Sequence, residues 1–337
     1  MRVALVSFRL GGLDGVAIEA QKWASALGAL GHDVVRVAGE GPVERILPGL
    51  ALAAPEPPTR RELADALYDV DLVVVENVLS LPLNLGARDV LAAVLRGRPA
   101  LVHHHDLASQ RPHLAHLPGP PDDPAWTHVA ISRLTRAALV ARGIPATHLP
   151  NHFDLDPAPG DRATTRARLG VAGPLVLLAS RAIPRKNVRG ALRVAARLGA
   201  TLWLLGPPED GYDASLARLL GAHPGPVVRG PAPSVADAYA AADLVVVPSV
   251  WEGFGNPVVE AIAHRRPLAA YPYPVLDELT ALGLDLPTLE GDLAVEMDPG
   301  AESRREARVV LLSPHLDLAD LPGRLERILS APREARH

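Results

Sequence analysis

The sequence contains no cysteine, so it can build neither a disulfide framework nor a thiolate metal site. Aromatic residues make up only 4% of the chain, which leaves Ala, Leu and Val to fill its core. No stretch approaches the roughly 18 to 20 consecutive apolar residues of a membrane span. The N-terminal apolar run passes into Gly11-Gly12 before it reaches the length of a signal-peptide core. Positive charge is not in excess either. The net charge of −4 gives no basic face for nucleic acid. Lysine is almost missing: of 34 basic residues only Lys22 and Lys186 are lysines, and 32 are arginines. So arginine-rich a chain keeps a lysine either by chance or where a compact ammonium is wanted. These absences lead to the expectation of a cytoplasmic, soluble protein with no integral membrane segment and no nucleic-acid partner.

What is present suits two domains. The length of 337 residues is about twice the usual domain of ~150, and 48% of residues are apolar, enough for a core in each half. Short apolar runs recur at Val3–Ser7, Asp33–Val37, Leu72–Val75, Ala100–Val102, His128–Ile131, Leu175–Ala179, Thr201–Leu205, Pro226–Val228, Leu244–Val247 and Leu268–Tyr271. Ala/Leu/Arg-rich helical stretches separate them, beginning with Ile18–Ala29. Continuous apolar strands alternating with helices imply parallel sheets covered on both faces, the α/β doubly wound class. The stretch Pro150–Gly173, with Pro157, Pro159 and Gly160, reads as a linker, and Leu175–Ala179 opens a second domain. Residues 1–155 and 156–337 are therefore expected as two Rossmann-like domains on either side of a cleft. A last helix is expected over Leu318–Leu329, ahead of an Arg-rich tail. Ligands of such folds bind at the carboxyl ends of strands, so the residues just after each run carry the functional question.

The most informative segment is Glu252-Gly-Phe-Gly-Asn-Pro-Val-Val-Glu260, which follows the strand Leu244–Val247. Glycines let backbone approach a ligand closely. Pro257 suits the first turn of a helix expected over Pro257–His264, whose free N–H groups favour phosphate. Glu252 and Glu260 lie on either side of the glycine turn, placed for two different sets of hydroxyls. A second segment, Arg181-Ala-Ile-Pro-Arg-Lys186, follows Leu175–Ala179. Its guanidinium fork and ammonium suit a diphosphate. In the first half, Gly11-Gly12 follows the first strand, and His103-His104-His105-Asp106 follows Ala100–Val102. Alternation along an extended segment keeps three adjacent histidines from pointing at one metal, so no metal site is expected there.

Arg181-x4-Lys186 followed by Glu252-x7-Glu260 resembles the donor site of the retaining GT-B glycosyltransferases of family 4, the glycosyl transferases group 1. Leu205-Gly206, the run Ala241-Ala-Asp243-Leu-Val-Val-Val-Pro248-Ser249 and Pro150-Asn151 fit the same pattern. The resemblance spans essentially the whole C-terminal half. It implies a GT-B fold and the transfer of a hexose from a nucleotide-diphosphate sugar, a UDP- or GDP-sugar, to a small-molecule acceptor, with no cofactor and no metal. By resemblance Arg181 and Lys186 hold the diphosphate. Glu252, Gly253, Phe254, Gly255 and Asn256 address the transferred sugar and distal phosphate, and Glu260 takes the ribose hydroxyls. Gly12 and Gly206 line the donor, and Arg229 lies beside the base. His105, with His103 on the same face, matches the family's histidine near the sugar. Arg9, Gly11, Lys22 and Arg111, with His113, are the acceptor-side candidates and would suit a small anionic acceptor. The start Gly-Gly-Leu-Asp-Gly-Val-Ala with Lys22-Trp23 also resembles enzymes that make glycerate-based sugar solutes.

The sequence departs from the family in two places. Arg265 replaces a usual glycine after the second glutamate helix, and Tyr271-Pro-Tyr-Pro-Val-Leu-Asp277-Glu278 replaces a usual Gly-Gly-x-x-Glu loop. No role is carried over to that loop. Asp154-Leu-Asp156 is like the metal motif of the GT-A fold but falls in the linker and is set aside. Two other classes compete: a nucleotide-sugar 2-epimerase of similar layout, which lacks the Glu-x7-Glu arrangement, and a non-catalytic nucleotide-sugar binder, which a transfer assay separates.

Overall fold

The computed structural model of the chain describes residues 1–12, 14–209 and 211–331. They divide into two compact units. One is Met1–His152 together with the chain from Ala319 onward; the other is Phe153–Leu318. Leu13 and the Arg-rich tail expected after the last helix lie outside the described residues.

The first unit holds seven strands: β1 (Arg2–Arg9), β2 (Asp33–Glu40), β3 (Arg45–Ile46), β4 (Leu72–Glu76), β5 (Ala100–His104), β6 (Trp126–Ala130) and β7 (Ala146–His148). They pair in parallel in the order β3-β2-β1-β4-β5-β6-β7. Strands β4, β5 and β6 are buried at every residue, as strands covered on both faces must be. The helix Gly15–Ala29 starts three residues before the expected Ile18. Asp14 caps it, accepting from the amides of Val16 and Ala17 at 3.1 and 3.2 Å. A helix over Leu321–Ser330, slightly later than expected, packs against it and buries Leu321 and Leu325.

The second unit holds β8 (Leu175–Leu178), β9 (Thr201–Leu204), β10 (Val227–Arg229), β11 (Leu244–Val247) and β12 (Leu268–Ala270), parallel in the order β10-β9-β8-β11-β12. Its core packs Val176, Leu178, Leu202, Leu204, Leu244 and Val246 against Val188, Ala191 and Leu192 of the helix Val188–Leu198. All ten expected strands are present. The expected list lacked β3 and β7, whose residues, Arg-Ile and Ala-Thr-His, leave no apolar run.

Each sheet reverses its direction of growth once, between β1 and β4 and between β8 and β11. Neighbouring loops leave opposite faces of the sheet there and open a crevice at the strands' carboxyl ends. Arg265, in place of the family's glycine, takes the left-handed conformation at φ 53°. A side chain in that region costs about 1–2 kcal/mol. The guanidinium offsets this by donating to the carbonyls of Leu155 and Ala263 and pairing with Glu306 and Asp156. Asp154 accepts from the amide of Asp156 in a local turn.

Candidate functional site

In the second unit the loops after β8 and β11 meet at the reversal point. The β8 loop carries Arg181, Arg185 and Lys186 and ends in Asn187, whose φ of 47° turns the chain into the helix Val188–Leu198. Asn187 caps that helix through the amide of Gly190 and donates to the carbonyl of Pro248, tying the β8 loop to the β11 loop. The β11 loop returns Glu252 to the cations. Lys186 Nζ donates to Glu252 Oε1 at 2.5 Å, and Arg185 donates to Glu252 Oε2 and the carbonyl of Trp251, both at 2.9 Å. Lys186 and Glu252 are buried, at 7% and 6% exposure. Burial works against the Glu252 charge, but Lys186 and Arg185 outweigh it and hold the carboxyl at about 2. Burial lowers Lys186 more than Glu252 raises it. The pair therefore holds a buried cation at a cost in desolvation. Arg181 turns aside to pair with Glu209 at 2.5 Å.

The helix Asn256–Ala263 starts one residue before the expected Pro257, and Gly255 is its N-cap at φ 109°. A Cβ on Gly255 would lie 2.0 Å from the hydroxyl of Tyr273, so both backbone angle and space demand glycine. Tyr273 is buried, and its hydroxyl has no hydrogen-bond partner. Burial and the Glu252 charge push its pKa well above 10. Phe254 is buried and stacks on Phe153, ring centres 6.1 Å apart. Glu260, on the new helix, accepts from Tyr239 at 2.6 Å, and Tyr239 stacks on His264. A Cβ on Gly206 would meet the Arg181 backbone at 2.7 Å, so that glycine lets the loops after β8 and β9 touch. Arg229 ends the edge strand β10 and is exposed.

In the first unit, β4 and β5 bring a carboxylate and two alternate histidines together. Glu76 Oε2 accepts from His103 Nδ1 at 2.8 Å and from His105 Nε2 at 2.7 Å. Asn77, at φ 64°, accepts from the amide of His105 and fixes that strand end. His103 stacks on Trp23, ring centres 4.1 Å apart. Burial alone would raise the Glu76 carboxyl, but the charges and N–H donors of the two histidines hold it at about 2. Burial lowers His103, whereas for His105 the bond to Glu76 overcomes burial and raises its pKa. His104 faces the other way, into a chain Ser80–His104–His128–Asp122 with links of 2.7, 2.8 and 3.0 Å that ends at the exposed Asp122.

Glu76, His103 and His105 are the one described group whose ligand atoms gather as a metal site would. Atoms sharing a tetrahedral zinc with bonds of about 2.0–2.1 Å stand roughly 3.3 Å apart. Here they stand at hydrogen-bond lengths, both histidines on one oxygen. The remaining candidates of this unit are each neutralised: Arg9 by Asp14 at 3.0 Å, Lys22 by Glu19 at 2.9 Å, and Arg111 by Asp106. Lys22 also donates to the carbonyl of His152. Gly11 takes φ 75°, and a Cβ there would press on Pro42 at 2.6 Å, whereas Gly12 is exposed and unhindered.

The family described as glycosyl transferases group 1 matches residues 173–296, the span that contains β8 to β12 and both loops of the second unit. Mannosylglucosylglycerate synthase of Thermotoga maritima is 28% identical, over 82% of this chain and 81% of its own. The chain belongs to the group 1 glycosyltransferases. D-inositol 3-phosphate glycosyltransferase of a Nocardioides species is 31% identical over 68% of this chain and 58% of its own. HepE of Anabaena, solved with UDP and glucose, superposes with a TM-score of 0.70 at 19% identity, covering 98% of this chain and 100% of that one. Sucrose-phosphate synthase of Thermosynechococcus elongatus gives 0.71 at 18%, over 98% and 99%. The fold of this glycosyltransferase is GT-B.

Sequence reasoning missed four residues of the glycosyltransferase's loops. Arg185 was passed over although it adjoins Lys186. Glu209, Glu76 and Tyr273 come from separate strand ends, and no spacing rule connects them to Arg181, His105 or Gly255. Glu76 did leave a trace, as a lone acid ending the apolar run Leu72–Val75.

Proposed function

We propose that the enzyme transfers a hexose from a nucleotide-diphosphate sugar to a hydroxyl of a small-molecule acceptor, with retention of anomeric configuration and without a metal. The carrying observation is the buried Lys186, with Arg185 beside it, facing Glu252 ahead of the Asn256–Ala263 helix. A donor diphosphate arriving there meets two cations and the N–H groups of a helix start. Residues 156–337 then serve the donor and residues 1–155 the acceptor. HepE of Anabaena was solved with UDP-glucose, which favours a UDP-sugar for this chain as well.

In this reading the bond between the sugar's anomeric carbon and the diphosphate oxygen breaks as the acceptor oxygen bonds to the same face. The acceptor's proton passes to the departing phosphate. Lys186, Arg181, Arg185 and the amides of Gly253 to Asn256 stabilise the charge that grows on phosphate, the task a metal performs in other enzymes. His105, held by Glu76, serves the hydroxyls of the transferred sugar.

A thermal-shift panel of UDP-, GDP- and ADP-sugars, followed by an acceptor screen with the best donor, tests the proposal. Stabilisation by one donor class, and a product whose anomeric configuration by NMR matches the donor, are expected. Chelation with EDTA should leave the rate unchanged. An inverted product or a chelation-sensitive rate defeats the corresponding part of the reading.

A further inference from the structure

A cavity of about 630 Å³ opens in the second unit at the amino ends of β8, β11 and β12, where Pro174, Asp243 and Arg266-Pro267 lead into the strands. The donor loops leave the carboxyl ends of the same sheet. Five guanidiniums, those of Arg162, Arg166, Arg265, Arg266 and Arg305, line the cavity with the carboxylates of Asp243 and Glu302. Four of the five are engaged within the fold. Arg162 and Arg166 share Asp243 and donate to the carbonyls of Ala240, Ala241 and Ala242. Arg265, which stands where the family has a glycine, pairs with Glu306 and Asp156. Arg305 donates to the carbonyls of Glu296, Asp298 and Pro299 and has no carboxylate partner among the described residues. Arg266 is different. It donates from Nε to the carbonyl of His264 at 3.0 Å, and among the described residues no other hydrogen bond or ion pair reaches its guanidinium. It is half-buried. Burial, then the charges of Arg162 and Arg305, lower its pKa against the raising effect of Asp243.

A half-buried cation with like charges beside it and no carboxylate of its own is held at a cost. A bound anion removes that cost, because it supplies the missing counter-charge and accepts from both terminal nitrogens of the guanidinium fork. We infer that this cavity is a second ligand site, and that it takes a small phosphate ester with the phosphate on Arg266. Charge selects the phosphate. Arg162, Arg166, Arg266 and Arg305 stand against Asp243 and the exposed Glu302, which leaves two positive charges unmatched. A phosphate monoester, at about −1.5 to −2, matches them better than a single carboxylate does. Size selects the ester. The volume falls within the roughly 300–1,000 Å³ of small-molecule sites, so the phosphate arrives on an organic body. The ligand is not the donor. β8 and β11 have four residues each, and at about 3.3 Å per residue roughly 13 Å separates their two ends.

The test is calorimetry on the full chain with UDP saturating, titrating glucose 6-phosphate and, as the uncharged control, glucose. Glucose 6-phosphate should bind saturably and more tightly than glucose. Arg266→Gln should weaken glucose 6-phosphate about tenfold or more, the scale of one charge-assisted hydrogen bond. Arg193→Gln, at an exposed arginine outside this cavity, should leave the affinity unchanged. Glu302 is exposed, so Glu302→Gln should fold normally. It removes a negative charge from the wall and should tighten inorganic pyrophosphate about threefold, a gain that misfolding does not produce. No saturable binding of glucose 6-phosphate, equal affinity in the native protein and Arg266→Gln, an equal loss in Arg193→Gln, or pyrophosphate affinity unmoved by Glu302→Gln each overturns the inference. Failure of the native chain to bind UDP defeats the donor reading instead and leaves the comparison of Arg266→Gln with Arg193→Gln standing.

Discussion

Lys186 Nζ reaches Glu252 Oε1 at 2.5 Å across 66 residues of sequence, and both side chains are buried. Removing one member of a buried ion pair leaves the other charge stranded, at a cost of about 3–5 kcal/mol when no partner remains. Arg185 stays at Glu252, so Lys186→Ala should cost roughly 1–3 kcal/mol of stability. Lys186→Ala combined with Glu252→Gln should recover most of that loss in urea denaturation while transfer stays depressed. A double variant no more stable than the single one shows that the pair is not what holds these loops.

Acid should destabilise the fold in two steps. Burial lowers His148, His152 and His264 from 6.5 to about 4. The unfolded chain therefore binds protons at these sites before the folded chain does, and stability present above pH 6.5 is lost as pH falls towards 4. Burial opposes ionisation of Glu76 and Glu252, yet their partners hold both at about 2 against an ordinary 4.5, so their contribution persists above 4.5 and is lost between 4.5 and 2. Denaturation midpoints at pH 7, 5.5 and 4 measure the first step. His152→Leu should make that step shallower, because burial of the His152 ring is the largest cause of its lowered pKa.

The parts of this molecule legible in its sequence are those encoded within one segment. Apolar runs marked ten strands, and the glycine turn between Glu252 and Glu260 marked a helix start to within one residue. What stayed hidden depends on contacts between segments. Glu76 and His105 meet because β4 and β5 pair with Glu76 opposite His103, a register no local pattern reveals. Tyr273 sits under Gly255 although its loop departs from the family pattern. Pairing also changed the meaning of Arg9, Lys22 and Arg111: as residue types they suggested free positive charge, but each has a carboxylate partner.

His105 should titrate above its ordinary 6.5 in the native enzyme because Glu76 accepts its proton-bearing Nε2. In Glu76→Gln the burial remains and the charge is gone, so the pKa should fall below 6.5. The ring-proton shift of His105, followed by NMR against pH, reports this directly. If protonated His105 serves transfer, the variant's rate should also decline at a lower pH than the native rate. An unchanged His105 titration rules out Glu76 as its positioning residue.

Gly255→Ala should be among the most damaging single-methyl changes in the chain. The added Cβ meets the Tyr273 hydroxyl at 2.0 Å, and φ 109° strains any side chain. The expected cost is more than about 2 kcal/mol, with weakened donor binding because the loop ahead of the helix must shift. Tyr273→Phe removes the clashing oxygen but leaves the strained angle, so the double variant should recover only part of the loss. Full recovery would mean that the backbone angle carries no strain; no recovery would mean that Tyr273 is not the obstacle.

The two glutamates that frame the glycine turn should prove to have different tasks. Glu260 stands on the helix and accepts from Tyr239, which fixes one oxygen in place. Glu252 spends both oxygens on Lys186 and Arg185. A donor diphosphate must therefore compete with Glu252 for its own cations. Glu252→Ala removes that competitor, so nucleoside diphosphate affinity should hold or rise, even as transfer falls and choice among donor sugars loosens. Glu260→Ala should weaken the same diphosphate by about 1–2 kcal/mol, the worth of the lost ribose hydroxyl bonds. Calorimetry with UDP on both variants, beside their transfer rates, decides between these roles. Equal loss of UDP by the two variants, or normal transfer by Glu252→Ala, would show that the turn does not divide the donor between them.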